Sequence, residues 1–118
     1  MLQSTSGGYA QAISLLERPN RPTAIFAGSD LQAMGVYEAA RQLGLRIPED
    51  LSVVGFDDVQ TAAFLGPALT TVRQPLQDMA RVAVRMLIEA LSTDDVIQPH
   101  IIMPTSLVVR NSTQQLEG

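Results

Sequence analysis

Three carboxylates stand at the ends of short apolar runs: Asp30 closes "TAIFAGSD", and Asp57-Asp58 close "SVVGFDD". Acids so placed can accept hydrogen bonds from a ligand, act as a general acid–base pair, or cap a helix. A paired-carboxylate hydrolase needs two acids that converge on one bond from positions about 5 to 9 Å apart. Adjacent residues of an extended chain point to opposite sides, so Asp57 and Asp58 do not form such a pair. One of them is expected to face a cleft and the other to brace a loop, and Asp58 suits a turn because Asp readily bonds its own downstream backbone. Ser29, Asp57 and His100 contain a triad's residue types, but no G-x-S-x-G elbow sets a serine on a strained turn. The single His and the absence of Cys leave no metal-ligand set. The sequence therefore predicts no catalytic residue, no metal and no cofactor.

The elements that position these acids follow from apolar spacing. Tyr9, Ile13 and Leu16 recur at helical intervals and mark a short helix that stops before Pro19. Residues 23–28 form an apolar run that ends in Gly, and Ser29-Asp30 open a helix with Asp30 as the expected N-cap. That helix, about Leu31 to Leu43, turns Ala33, Val36, Tyr37, Ala40 and Leu43 to one side, and Gly44 supplies a left-handed stop. The next strand covers residues 52–56. Two short apolar strands joined by a helix form a βαβ unit with parallel strands, in a sheet expected to be buried on both faces. In such sheets, ligands bind beyond the carboxyl ends of the strands, where Ser29-Asp30 and Asp57-Asp58 both lie.

Composition bounds the function. The chain has 118 residues, 46% of them hydrophobic, which suits one small globular core. No apolar run reaches the roughly 18 residues of a membrane span, and no signal peptide opens the chain, so a cytoplasmic protein without a membrane partner is expected. With 8 basic against 12 acidic residues the formal charge is −4, and no basic cluster offers a footing for phosphates. This chain by itself is not expected to bind DNA. A dinucleotide enzyme would need G-x-G-x-x-G after its first strand, which "FAGSDLQAMG" does not supply.

The order and spacing of "PTAIFAGSDLQAMGVYEAARQLGLRIPEDLSVVGFDD" and "LTTVRQP" resemble the effector-binding domain of the LacI/GalR (lac/gal repressor) family of bacterial transcriptional regulators, from about Gly8 to Arg110. The resemblance implies an α/β fold of the type 1 periplasmic-binding-protein kind, a parallel sheet with flanking helices, here mainly the C-terminal subdomain. It implies a boundary near residue 75, with 76–103 as a crossover helix and strand belonging to a first subdomain outside this chain. Residues 104–116 then form a return strand, and 117–118 a tag remnant. The implied partner is a small-molecule effector, a sugar or a nucleoside-like purine. Operator DNA would be read only through an N-terminal helix-turn-helix domain outside this chain. A fragment of a periplasmic sugar-binding protein of an ABC transporter is the alternative with the same fold. Asp57 falls where the family places a carboxylate on the ligand, and Ser29, where many relatives carry Asn, and Asp30 join it as candidate contacts. Gln3 lies where relatives often carry a stacking aromatic.

Two surfaces look built for association. Leu31, Met34 and Glu38 lie beside or opposite the core stripe of the 31–43 helix, and the resemblance implies a homodimer through that surface and the loop with Phe64 and Leu65. Residues 76–91 read as a helix whose apolar arc is too wide for one neighbour, with Leu76, Met79, Ala80, Ala83, Leu87, Ala90 and Leu91 on one face. Its expected partner is a second copy of the chain.

Overall fold

The computed structural model describes residues 5–92 and 100–116, so Gln3 and the residues at 117–118 lie outside it. The described chain forms two compact units, the first built from residues up to Arg73 together with those from Leu107 on, the second running from Gln74 to Ser106.

In the first unit, helix α1 (Thr5–Leu16) precedes strand β1 (Ala24–Phe26), helix α2 (Asp30–Gln42), strand β2 (Ser52–Asp57), a 3₁₀ turn (Gln60–Phe64) and strand β3 (Thr70–Arg73). Helices α1 and α2 pack on each other through small residues. Gly7, Gly8 and Ala12 are buried on α1, and Ala33, Gly35, Ala39 and Ala40 on α2. The approach is so close that a Cβ on Gly35 would overlap the backbone of Thr5 and Tyr9. Leu16, Val36, Leu51, Val53 and Leu69 complete the core, with Tyr37 and Leu43 packed at its edge. The predicted apolar stripe of α2 is therefore the observed one, and Gly44 ends the helix at φ 71°.

Strands β1 and β2 pair in parallel with Ala24 opposite Ser52, and α2 connects them as predicted. Strand β3 was not foreseen as a strand; it pairs in parallel with β2, setting Gly55 opposite Thr71 and Asp57 opposite Arg73. Its sequence signal is the β-branched run Thr70-Thr71-Val72 between Pro67 and Pro75. A short β4 (Ser106–Val108) completes the order β1-β2-β3-β4.

Burial on both faces does not hold. Val53, Gly55 and Thr71 face the core, whereas on the opposite face Ala24 is exposed and Phe26 is 68% exposed. The reason is that α1 and α2 contribute to one and the same core, which leaves the second face of the first unit without a helix of that unit. The return segment is also less regular than a strand over 104–116: beyond Val108 it is held by Ser112. The buried Ser112 hydroxyl donates to Val53 O at 2.5 Å and accepts from Thr70 N at 2.8 Å, while Ser112 O accepts from Val53 N at 2.9 Å. One serine thus ties the ends of β2 and β3 together.

In the second unit, α3 (Leu76–Ser92) matches the predicted helix closely and has no buried residue. Leu76, Met79, Val84, Leu87, Ile88 and Leu91 are all exposed. Residues 100–105 have no regular structure, where a crossover strand near "HIIMPTS" was expected; Ile101 and Ile102 are exposed and His100 lies in open chain.

Candidate ligand-binding site

The site lies in the first unit, where β1, β2 and β3 end at Ser29-Asp30, Asp57-Asp58 and Arg73. Ser29, not Asp30, is the N-cap of α2: its backbone is extended (φ −157°, ψ 165°) and its hydroxyl oxygen accepts from Gln32 N at 3.1 Å. The Gln32 side chain in turn accepts from Gly28 N at 3.0 Å. Accepting at the cap leaves the Ser29 hydroxyl proton for another acceptor.

Asp30 departs from both of its expected roles. It is the first helical residue, fully buried, with Oδ1 accepting from the Thr71 hydroxyl at 2.6 Å and Oδ2 accepting from Val59 N at 2.8 Å. A side chain at position 55 would strike Asp30 Oδ1, so Gly55 is what lets the carboxylate reach β3. Asp30 is a brace beneath the site with no face open to a ligand. A cap is visible in local sequence; this bond to a residue 41 positions away is not.

The two adjacent acids are separated by a different cause from the one expected. Both have positive φ, 118° at Asp57 and 58° at Asp58, so the chain is not extended here and strand alternation does not apply. Their surroundings separate them instead. Asp58 Oδ2 accepts from Arg73 Nε at 2.7 Å, and Oδ1 accepts from Arg110 Nη2 at 2.8 Å. Burial pushes the Asp58 carboxyl up, but the bonds from Arg110 and Arg73 outweigh it and hold the group below the usual carboxylate range. Asp58 does brace a loop, although through arginines rather than through its own downstream backbone. Asp57 is half-buried at the last position of β2. Arg73 and Arg110 escaped sequence reasoning because neither forms a local pattern with Asp58; each approaches it only when the sheet is assembled.

On the outer side of α2, Leu31 is exposed, Met34 is half-buried and Glu38 forms an ion pair with Arg41. Phe64 is 80% exposed, whereas Leu65 packs against the core and is not the free anchor expected. Among the described residues, no group of three or more His, Cys, Asp or Glu side chains is placed to hold a metal ion, and no helix is long and apolar enough to cross a membrane.

Residues 2–113 match the periplasmic binding protein-like domain. The chain belongs to that family. This periplasmic-binding-protein-like domain is of the kind found in LacI-type regulators. It is 50% identical over 97% of its length to an uncharacterised HTH-type transcriptional regulator from the 5′ region of aml in Streptomyces limosus, and covers 32% of that protein. It superposes with a TM-score of 0.91 on a LacI family transcriptional regulator from Enterococcus faecalis V583 with bound ribose, at 31% identity, covering 98% of this chain and 43% of that one. With the lac repressor dimer bound to operator and the anti-inducer ONPF the TM-score is 0.85 at 33% identity, covering 93% of this chain and 38% of the repressor. The domain thus spans less than half of each of these relatives.

Proposed function

We propose that this chain is the effector-binding and dimerisation part of a LacI-type DNA-binding transcriptional regulator. Asp57 and Ser29 contact a small-molecule effector, a sugar or a nucleoside-like purine, and Asp30 supports them from below. The observation that supports the reading is the arrangement at the strand ends: Ser29 and Asp57 follow or end neighbouring parallel strands, at the carboxyl edge of the sheet where ligands bind in folds of this kind, and Asp30 and Asp58 brace that edge through Thr71, Val59, Arg73 and Arg110. The ribose held by a relative with this fold supports a sugar. Relatives that are regulators support this reading over a transport protein, and support binding rather than catalysis. Leu31, Met34, Glu38 and Phe64 form the homodimer surface. Operator DNA is read by a helix-turn-helix domain outside this chain, which places the protein in the cytoplasm.

The test is a thermal-shift screen of the longer protein that carries this chain against sugars, nucleosides and purines, followed by calorimetry on Asp57→Asn. Loss of charge-assisted bonds should weaken binding by about 1.5 to 3 kcal/mol with little change in unfolding midpoint. Unchanged affinity would remove Asp57 from the site.

A further inference from the structure

The chain leaves the first unit after Arg73 and re-enters it at Leu107. Asp58 holds a residue beside each of these crossings. Its Oδ2 accepts from Arg73, the last residue before the first crossing, at 2.7 Å, and its Oδ1 accepts from Arg110, just after the second, at 2.8 Å. Arg110 is itself fixed to β3: Nη1 donates to Leu69 O at 2.9 Å, and its backbone N donates to Thr70 Oγ1 at 2.9 Å. The Asp58 side chain is only 10% exposed and that of Arg110 17%, so water competes weakly for this pair; Arg73, at 55%, is more open.

The residue before Asp58 is Asp57, and both hold positive φ, a conformation that side-chain-bearing residues keep only where the surroundings impose it. The surroundings do so from two directions, since Asp30 holds Val59 N on one side and the two arginines hold Asp58 on the other. A backbone pinned in this way transmits a displacement at Asp57 to the groups that pin it.

We propose that Asp58 is a positioning residue that couples the ligand-facing Asp57 to both chain crossings at once, so that an effector on Asp57 biases residues 72–76 and 106–111 together. The coupling rests on the effector-binding reading above; the clamp itself does not. A mere staple would contribute stability without linking the crossings to the ligand.

Two hydrogen-exchange measurements separate these. In the ligand-free 118-residue chain, Asp58→Asn should speed amide exchange about tenfold at both 72–76 and 106–111. Arg73→Gln should speed only the first segment and Arg110→Gln only the second. Acceleration at one segment alone in Asp58→Asn, or at neither, overturns the clamp. In the longer protein, ribose, sucrose and cellobiose serve as probes. A sugar that binds should slow exchange at both segments of the wild type. The slowing should vanish in Asp58→Asn, although the sugar still binds, and return in part in Asp58→Glu. Undiminished slowing in Asp58→Asn overturns the coupling. No binding of any of these sugars to the wild type overturns the sugar form of the effector reading and the coupling of a sugar with it, while the ligand-free measurement still decides the clamp.

Discussion

At the scale of single residues, two carboxylates with internal partners brace the strand ends proposed as the site. Removing Asp30 as Asp30→Ala would strand the Thr71 hydroxyl and Val59 N in the interior, at roughly 1 to 3 kcal/mol for each orphaned group. A loss of unfolding free energy of that size, read from a lowered urea midpoint, is expected, and Gly55→Ala should also lower the midpoint because its methyl group displaces the same carboxylate. Asp58 acts through charge and so carries a pH signature. Its pKa is depressed in the folded state, so its stabilisation is present above the unfolded value of about 3.9 and is lost as pH falls through the folded value. Asp58→Asn should cost about 1.5 to 3 kcal/mol at neutral pH, most of it through Arg110 because the Arg73 pair is more than half open to water. Denaturation curves of variant and wild type should converge as pH falls below the ordinary carboxylate range and through the depressed folded value; a constant gap would show that the arginine bonds are not its source.

At the scale of elements, α2 joins everything that matters. One face closes the core, its N-terminal turn carries Ser29 and Asp30, and Tyr37 donates from its hydroxyl to Pro67 O at 2.8 Å, fixing the loop that follows the 3₁₀ turn. Burial pushes the Tyr37 hydroxyl up to about 12, against a smaller downward pull from Ser112. The folded value exceeds the ordinary 10.0, so the stabilisation persists below about pH 10 and is lost as pH rises through about 12. A tyrosinate absorbance titration of Tyr9→Phe, which leaves Tyr37 as the only tyrosine, should show its midpoint near 12. Helix α3 presents the opposite case. None of its residues is buried, and it belongs to the second unit rather than to the first. Leu87→Ser with Ile88→Ser should leave the unfolding midpoint of that unit unchanged while reducing self-association of the 118-residue chain in light scattering. A wild-type chain that stays monomeric at micromolar concentration would refute pairing through α3.

At the scale of the whole molecule, the dimer surface proposed on the outer side of α2 is separate from the strand ends proposed to face the ligand. Met34→Asp combined with Phe64→Asp should convert the longer protein from dimer to monomer in sedimentation, and should leave sugar affinity within about twofold because neither residue lies at the strand ends. Phe64 replaces Leu65 in this test because Leu65 packs on the core and its substitution would report folding instead.

The sequence by itself determined whatever depends on periodicity and on neighbours along the chain. The apolar stripe of α2, the stop at Gly44, the parallel βαβ connection and the length of α3 all follow from spacing within one element. It also pointed to the strand ends as the place now proposed for a site, since a strand that runs from apolar residues into acids has a legible direction. Tertiary structure decided what each acid does there. Asp30, Asp57 and Asp58 look alike in sequence, and their roles diverge through Thr71, Val59, Arg73 and Arg110, of which only Val59 is near any of the three acids along the chain. Strand β3 and the Ser112 tie were hidden for the same reason. A hydrogen bond between residues 42 or 59 positions apart exists only once the intervening chain has folded, and no local pattern of residue types encodes which partner will arrive.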